Sequence, residues 1–295
     1  MNMTLNYGHS TAVISTLGAQ LISLKGKNGR EVMWQADPDV WPEHAPVLFP
    51  ICGAPLDGRI IMKGKDYPMP KHGLTRVNPN FEIVSNGPDY VDLLFVDTPS
   101  TRKLYPYAFR FHVIYELYEQ GIRTTFLVEN PGPEELPFCA GGHPAFNCPM
   151  EEGAVFDDYD IIFEKEESGC IARTPGGGAI DGEEKLPFFH DGRILPLNHR
   201  EIDLRDSWLF DGLNSRSVRL ENRKTGRGLS VRFPKMEALA IWSMKDKAAD
   251  YICIEPWHGI PARAGESGRM EDKPYVTLLR GGEISTLWYD IEWDL

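Results

Sequence analysis

The chain has no apolar run near the roughly 18 residues that a membrane span requires. It also lacks basic excess: 31 lysines and arginines stand against 43 aspartates and glutamates, a net charge of -12. Nucleic acids and anionic membranes both recruit basic surfaces, so neither is expected as a partner. Cysteine is scarce and scattered. Cys52, Cys139, Cys148, Cys170 and Cys253 never fall in C-x-x-C spacing. That usage fits a reduced, cytoplasmic chain with mostly buried thiols, not a disulfide or zinc scaffold. The start shows no basic segment leading into an apolar one, so no secretion signal is expected. No P-loop, G-x-G-x-x-G or G-x-S-x-G is present, which leaves nucleotide and nucleophile-elbow chemistry without support.

Helical stripes are missing too. What recurs instead is alternation. In "FRFHVIYEL", Phe109, Phe111, Val113, Tyr115 and Leu117 fall on one face, against Arg110, His112 and Glu116. "EQG" then reads as a turn and "IRTTFLVEN" as the returning strand, a hairpin pattern. "SVRLENRKTGRGLSVRF" repeats it around Lys224 to Gly226. "EISTLWYDIEW" sets Leu287, Tyr289, Ile291 and Trp293 on one face and Asp290 on the other. "AQLISLKGKNGREVMW" reads as a hairpin turning at Asn28 and Gly29. Glycines and prolines are spread throughout, which favours turns and interrupts helices. The pattern predicts one all-β domain over residues 1–295, a large antiparallel β-sandwich. "TPGGGAIDGEE", 174–184, is expected to be a surface loop.

Three stretches carry candidate chemistry. "CAGGHPAFNCP", 139–149, sets His143 between glycines and Pro144. Gly141 and Gly142 let a ligand or another backbone come close. An imidazole there can move a proton, or simply fill a core with its hydrogen bonds satisfied. Zinc ligation with Cys139 and Cys148 is disfavoured, because the spacing differs from that of paired-cysteine sites. In "YICIEPWHG", 251–259, an extended chain puts Tyr251, Cys253, Glu255 and Trp257 on one face. Pro256 keeps Glu255 extended. A carboxylate inside a strand needs a partner; the plainer alternative is a strand-end glutamate bridged to an arginine. Trp257 offers a flat face of the kind that stacks on a sugar ring. "GAPLDGRIIMKGKDYPMPKHGLTR", 53–76, gathers Arg59, Lys71, His72 and Arg76. These cations suit hydroxyls or a phosphate, or are solvated hairpin charges.

In chain order, "LGAQLISLKGKNGREVMW", "DGRI…GKDYPMPKHGLTR", "GGHPAFNCP", "CIEPWHG" and "KPYVTLLRGGEIST" resemble the aldose 1-epimerase, or galactose mutarotase-like, family over nearly the whole chain. The resemblance implies a β-sandwich with a sugar site on its concave face. It implies that His143 is the general acid and Glu255 the general base, with Arg59 and His72 holding the sugar. A family aspartate that binds hydroxyls falls on Asp211, with Asp206 as the alternative. Trp257 and Arg76 complete the expected substrate-binding set. Where relatives often carry an aspartate after the E-P-W stretch, this chain has Ala262 and Arg263, and His258 is also unexpected there. The implied activity is anomer exchange on a hexose or related aldose, with no metal or organic cofactor. A neutral sugar is expected ahead of a hexose 6-phosphate, given the acidic balance. Two other classes stay open: a sugar-binding or regulatory module that has lost turnover, and a glycosidase or lyase. Glycosidases usually need paired carboxylates.

Overall fold

The alternating segments become strands. The computed structural model describes residues 1–175 and 178–295; Gly176 and Gly177, within the stretch expected to be a surface loop, lie outside the described residues. Nine strands form one antiparallel sheet, in the order Ile194–Pro196, Tyr159–Phe163, Ser217–Asn222, Gly228–Arg232, Ile284–Trp293, Gly121–Glu129, Arg110–Tyr118, Tyr90–Val96 and Glu82–Asn86. The expected hairpin sits at its centre, with Tyr118 opposite Gly121. Phe111, Val113, Tyr115 and Leu117 are buried. Gln120 adopts a positive φ of 56° and closes the two-residue turn.

The second large sheet runs Glu183–Lys185, Cys170–Ala172, Ser207–Asp211, Ala238–Trp242, Tyr251–His258, Ala140–Gly142 and Val47–Leu48, with Ala145–Asn147 also paired to Tyr251–His258. The inner faces of the two sheets meet through aromatic rings. Phe49 stacks on Phe111 at 4.4 Å, and Phe163 packs on Phe210 at 4.9 Å. The chain is therefore an all-β sandwich of large antiparallel sheets. Among the described residues, no helix is long and apolar enough to cross a membrane.

Two sequence expectations differ in detail. Asp290, expected on the outward face, is 2 % exposed. Arg123 covers it with bonds of 2.8 and 3.1 Å while lying over the Trp288 ring, so a guanidinium and an indole replace water. In the N-terminal hairpin, Gln20–Lys25 forms and pairs with Ser10–Ser15, but the return is only an isolated bridge at Glu31. The Glu31 carboxylate takes the Leu24 N–H and the Ser23 hydroxyl, and so occupies a donor that a ladder would use.

The one α-helix among the described residues, His199–Arg205, is capped at Asn198, whose side chain accepts from the Glu201 N–H. It stops at Asp206, where φ is 64°. That positive-φ residue turns the chain straight into the strand Ser207–Asp211.

Candidate functional site

The geometry of the site follows from strand register. Along Tyr251–His258, Ala145 lies opposite Cys253 and Gly141 opposite Trp257. The same register runs through both short partners, which sets His143 directly across from Glu255. On the other side of Glu255 stands Ala240, and beyond it Leu209. Directly opposed residues share a face of the sheet, so Leu209, Ala240, Glu255 and His143 form one row across it. Ala240 is small, and the row sinks into a cavity of about 220 Å³. Trp41, Trp242 and Trp257 wall it; Lys71, His72, Arg76, Thr174, Asp206 and Ser207 supply polar groups.

The two glycines before His143 serve protein packing. A Cβ on Gly141 would lie 2.7 Å from Cδ1 of Trp257, and one on Gly142 2.6 Å from the Tyr289 ring. The close approach read from the sequence is thus made by aromatic side chains of the fold.

His143 Nε2 lies 3.1 Å from Glu255 Oε2. The contact is not aligned as a hydrogen bond, so Glu255 Oε2 has no protein hydrogen-bond partner, and neither have His143 Nδ1 and the buried indole Nε1 of Trp257. Unpaired buried polar atoms cost on the order of 1–3 kcal/mol each, so their clustering marks a place built for something other than stability. Burial drives the electrostatics. It lowers the His143 pKa to about 3, with Lys71 and Arg76 adding to the effect. It raises Glu255 well above the usual carboxylate range; Asp206 adds to this while Lys71 and Arg76 oppose it. A buried ion pair costs several kcal/mol per ion before it is repaid. The favoured resting pair is therefore neutral, with its proton on the carboxyl.

His72 enters from the side. Its φ of 68° is unusual for a side chain of this size. The backbone is held there by its N–H to the Gly53 carbonyl, 2.8 Å, and by Leu74 N–H to the Phe49 carbonyl, 2.7 Å. The Gly53 N–H donates to His72 Nδ1 at 3.1 Å. Nδ1 is thus an acceptor, and Nε2 carries the ring proton. Burial keeps this imidazole neutral, with His143, Lys71 and Arg76 adding to the depression. His72 is therefore a fixed neutral donor, edge-on to His143 at 5.6 Å and to Trp257 at 5.7 Å.

Of the residues singled out in the sequence, the cavity brings together His143, Glu255, His72, Arg76 and Trp257, with Lys71 beside them. Arg59 and Asp211 are not among its lining residues. Arg59 opens the strand Arg59–Met62, in which Ile60 and Met62 point inward; its side chain is half exposed and 4.0 Å from Asp66. Asp211 sits one row along the sheet, opposite Ala238, where Tyr275 (2.6 Å) and Arg263 occupy its carboxylate. The alternative, Asp206, does line the cavity. Trp41, Trp242, Thr174 and Ser207 were not anticipated. Trp242 was within reach, because alternation along "ALAIW" puts Ala238, Ala240 and Trp242 on one face. Trp41 had no periodic signal.

Among the described residues, one group has ligand atoms close enough to hold a metal: His143, Cys253 and Glu255, all within 4.8 Å. Cys139 and Cys148 are not in it. Burial raises the Cys253 thiol well above its ordinary pKa, so an ion bound there would have to displace the thiol proton.

Comparison with known proteins agrees with this architecture. The aldose 1-epimerase family matches residues 1–272. The chromosomal protein LacX of Lactococcus lactis subsp. lactis is 36 % identical over 300 residues, covering 99 % of each chain. The galactose mutarotase related enzyme of Lactobacillus acidophilus superposes with a TM-score of 0.91 at 29 % identity, covering 100 % of this chain and 98 % of that one. A galactose mutarotase-like protein of Lactobacillus casei gives 0.91 at 28 % identity, with full coverage of both chains.

Proposed function

The chain belongs to the aldose 1-epimerase family, and from that premise we propose that it interconverts the α and β anomers of an aldose by general acid–base ring opening. The observation that carries this reading is the contact between His143 Nε2 and Glu255 Oε2, 3.1 Å apart in a cavity walled by indoles. The hydroxyl and ring oxygens of an anomeric centre hang on the same carbon. A catalyst that takes a proton from one and gives a proton to the other needs its two groups close together.

In this mechanism the Glu255 carboxylate takes the proton of the C1 hydroxyl. His143 donates a proton to the ring oxygen. The bond from C1 to that oxygen breaks and leaves the open-chain aldehyde. Rotation about C1–C2 presents the other face, and the steps reverse. Opening ends with a protonated Glu255 and a neutral His143, the state that burial favours at rest. The cycle is entered by one proton passing from Glu255 to His143 across their 3.1 Å contact, which makes the carboxylate and imidazolium that opening consumes, and ring closure regenerates them without an outside donor. Acid and base contributions of this kind are each worth about 10²- to 10⁴-fold. His72 Nε2–H, Arg76, Asp206 and the face of Trp257 are positioned to hold the sugar. No step calls for a metal or an organic cofactor.

A neutral aldose fits the charges best, since Glu43 already holds Arg76 through both carboxylate oxygens at 2.7 and 2.8 Å. One observation favours a phosphorylated sugar instead. Lys71 lines the cavity and makes no salt bridge among the described residues. Anomer exchange followed by NMR over a panel of aldoses, with glucose and glucose 6-phosphate compared directly, tests both. A large preference for the phosphate ester would overturn the neutral-sugar choice. Binding without exchange above the buffer rate would make the chain a sugar-binding module.

A further inference from the structure

Residues 41–46 belong to no sheet, yet they are fastened to the link that carries His143 between the strands Ala140–Gly142 and Ala145–Asn147. The His143 N–H donates to the Pro46 carbonyl and the Ala145 N–H to the His44 carbonyl, both at 2.9 Å. Gln20 Oε1 accepts from the His44 and Ala45 N–H groups at 3.2 Å. The Trp34 indole N–H donates to the Trp41 carbonyl at 2.9 Å. One side chain of this segment then lines the site and another holds a residue that does. Trp41, 5 % exposed, stacks on the His143 imidazole with centroids 5.2 Å apart and planes 26° apart. Trp242 meets the same imidazole edge-on at 5.7 Å, and Tyr251 backs Trp41 at 5.6 Å. Glu43, two residues on, grips Arg76.

We propose that residues 41–46 form a positioning strap, in which Trp41 fixes the plane of the His143 ring with Nε2 toward Glu255 and Glu43 fixes the Arg76 guanidinium. The catalytic meaning of the strap rests on the anomer-exchange reading; its physical content does not. The imidazole has two flat sides and an edge to secure. Trp41 covers a flat side, Trp242 meets the ring at right angles, and the backbone bond to Pro46 fixes the root. Without Trp41, the ring can turn about its side-chain bonds and water can reach it. A misplacement of about 1 Å is enough to cost on the order of 10²-fold in a proton-transfer step. Glu43 acts on a different group, so its loss should be felt in binding rather than in the proton transfer.

The first test needs no substrate. Histidine NMR on the sugar-free protein reads the His143 ring. The groups around that ring are Glu255 and Cys253 across the strand, His72, Lys71 and Arg76 from the preceding loop, Asp206 beyond the helix, Glu43 in the strap and Tyr251 behind Trp41. Trp41→Leu alters none of them. The wild-type ring should show no titration between about pH 5 and 8. In Trp41→Leu a titration should enter that window as water reaches the ring, and Trp41→Phe should restore most of the wild-type behaviour. The second test is kinetic. Trp41→Leu should lower kcat by about tenfold or more with KM nearly unchanged. In a His143→Asn background the same substitution should cost little, because Trp41 acts through His143. Glu43→Gln should raise KM several-fold and leave kcat close to wild type. An unmoved His143 titration in Trp41→Leu overturns the strap, as does a Trp41→Leu loss equally large without His143. A wild type that exchanges no anomers refutes the functional reading alone, since the NMR arm still decides the strap.

Discussion

Replacing one member of the His143–Glu255 pair should expose a pH dependence of stability that the intact pair conceals. In the unfolded chain Glu255 titrates near 4.5 and His143 near 6.5. In the folded protein burial moves the two in opposite directions, Glu255 well up and His143 down to about 3. Between pH 4.5 and 6.5 the unfolded pair carries its one proton on histidine, and the folded pair carries one on glutamate. Equal proton counts mean no slope from the pair. In Glu255→Gln only the histidine remains. Its depressed folded value means that its stability contribution is complete above 6.5 and falls away as the pH drops. The loss is about 1.4 kcal/mol per pH unit, or roughly 3 kcal/mol over the two units. In His143→Asn only the glutamate remains. Its raised folded value means that stability is greatest below 4.5 and declines at the same rate as the pH rises. Urea unfolding of the three proteins at half-unit steps from pH 4.5 to 8 reads these slopes directly. Opposite tilts of the two variants relative to wild type are expected. Two variants that run parallel to wild type would refute the claim that burial shifts both groups.

Other outcomes follow from the same geometry. Arg59→Ala should leave anomer exchange within about twofold of wild type, because its side chain lies on an exposed hairpin, whereas Asp206→Asn should raise KM. A Gly142→Ala substitution should destabilise the protein by about 1–3 kcal/mol, as overpacking against the Tyr289 ring does in well-filled cores; thermal unfolding checks it. Elemental analysis of purified protein should find no stoichiometric zinc, and chelation should not lower the exchange rate, because the cysteines lack the paired spacing of zinc sites and the proposed steps use His143 and Glu255 as acid and base.

Much of the fold was legible because alternation is a local signal. Phe111 to Leu117 and Leu287 to Trp293 announce their buried faces residue by residue, and the sandwich follows from many such segments. Asp290 shows where that signal ends: its burial depends on Arg123, which is 167 positions away in the chain. The candidate site divides in the same way. His143 and Glu255 each stand out in their own motif, but their partnership is a matter of register between Ala140–Asn147 and Tyr251–His258. No local pattern carries that. Asp211 and Asp206 show the cost. Both lie near the strand Ser207–Asp211, and only the strand pairing reveals that Asp211 belongs to the row of Ala238 and Trp257, where Arg263 and Tyr275 claim it. Trp41 was invisible for a further reason. It lies in an irregular segment whose position is set by bonds from its backbone to the side chains of Gln20 and Trp34 and to the backbone of His143 and Ala145, and irregular segments have no period to read.

The central claim is that Glu255 is the base of an anomer exchange. NMR saturation transfer between the α and β signals of a bound-and-released aldose, run on wild type and on Glu255→Gln, tests it most directly. The amide keeps the size of the side chain and can still contact the C1 hydroxyl, so sugar affinity should change little. Exchange should fall by roughly 10² or more, the usual worth of a general base. A Glu255→Gln protein that exchanges anomers within about threefold of wild type would contradict the account, and another group would have to be taken as the base.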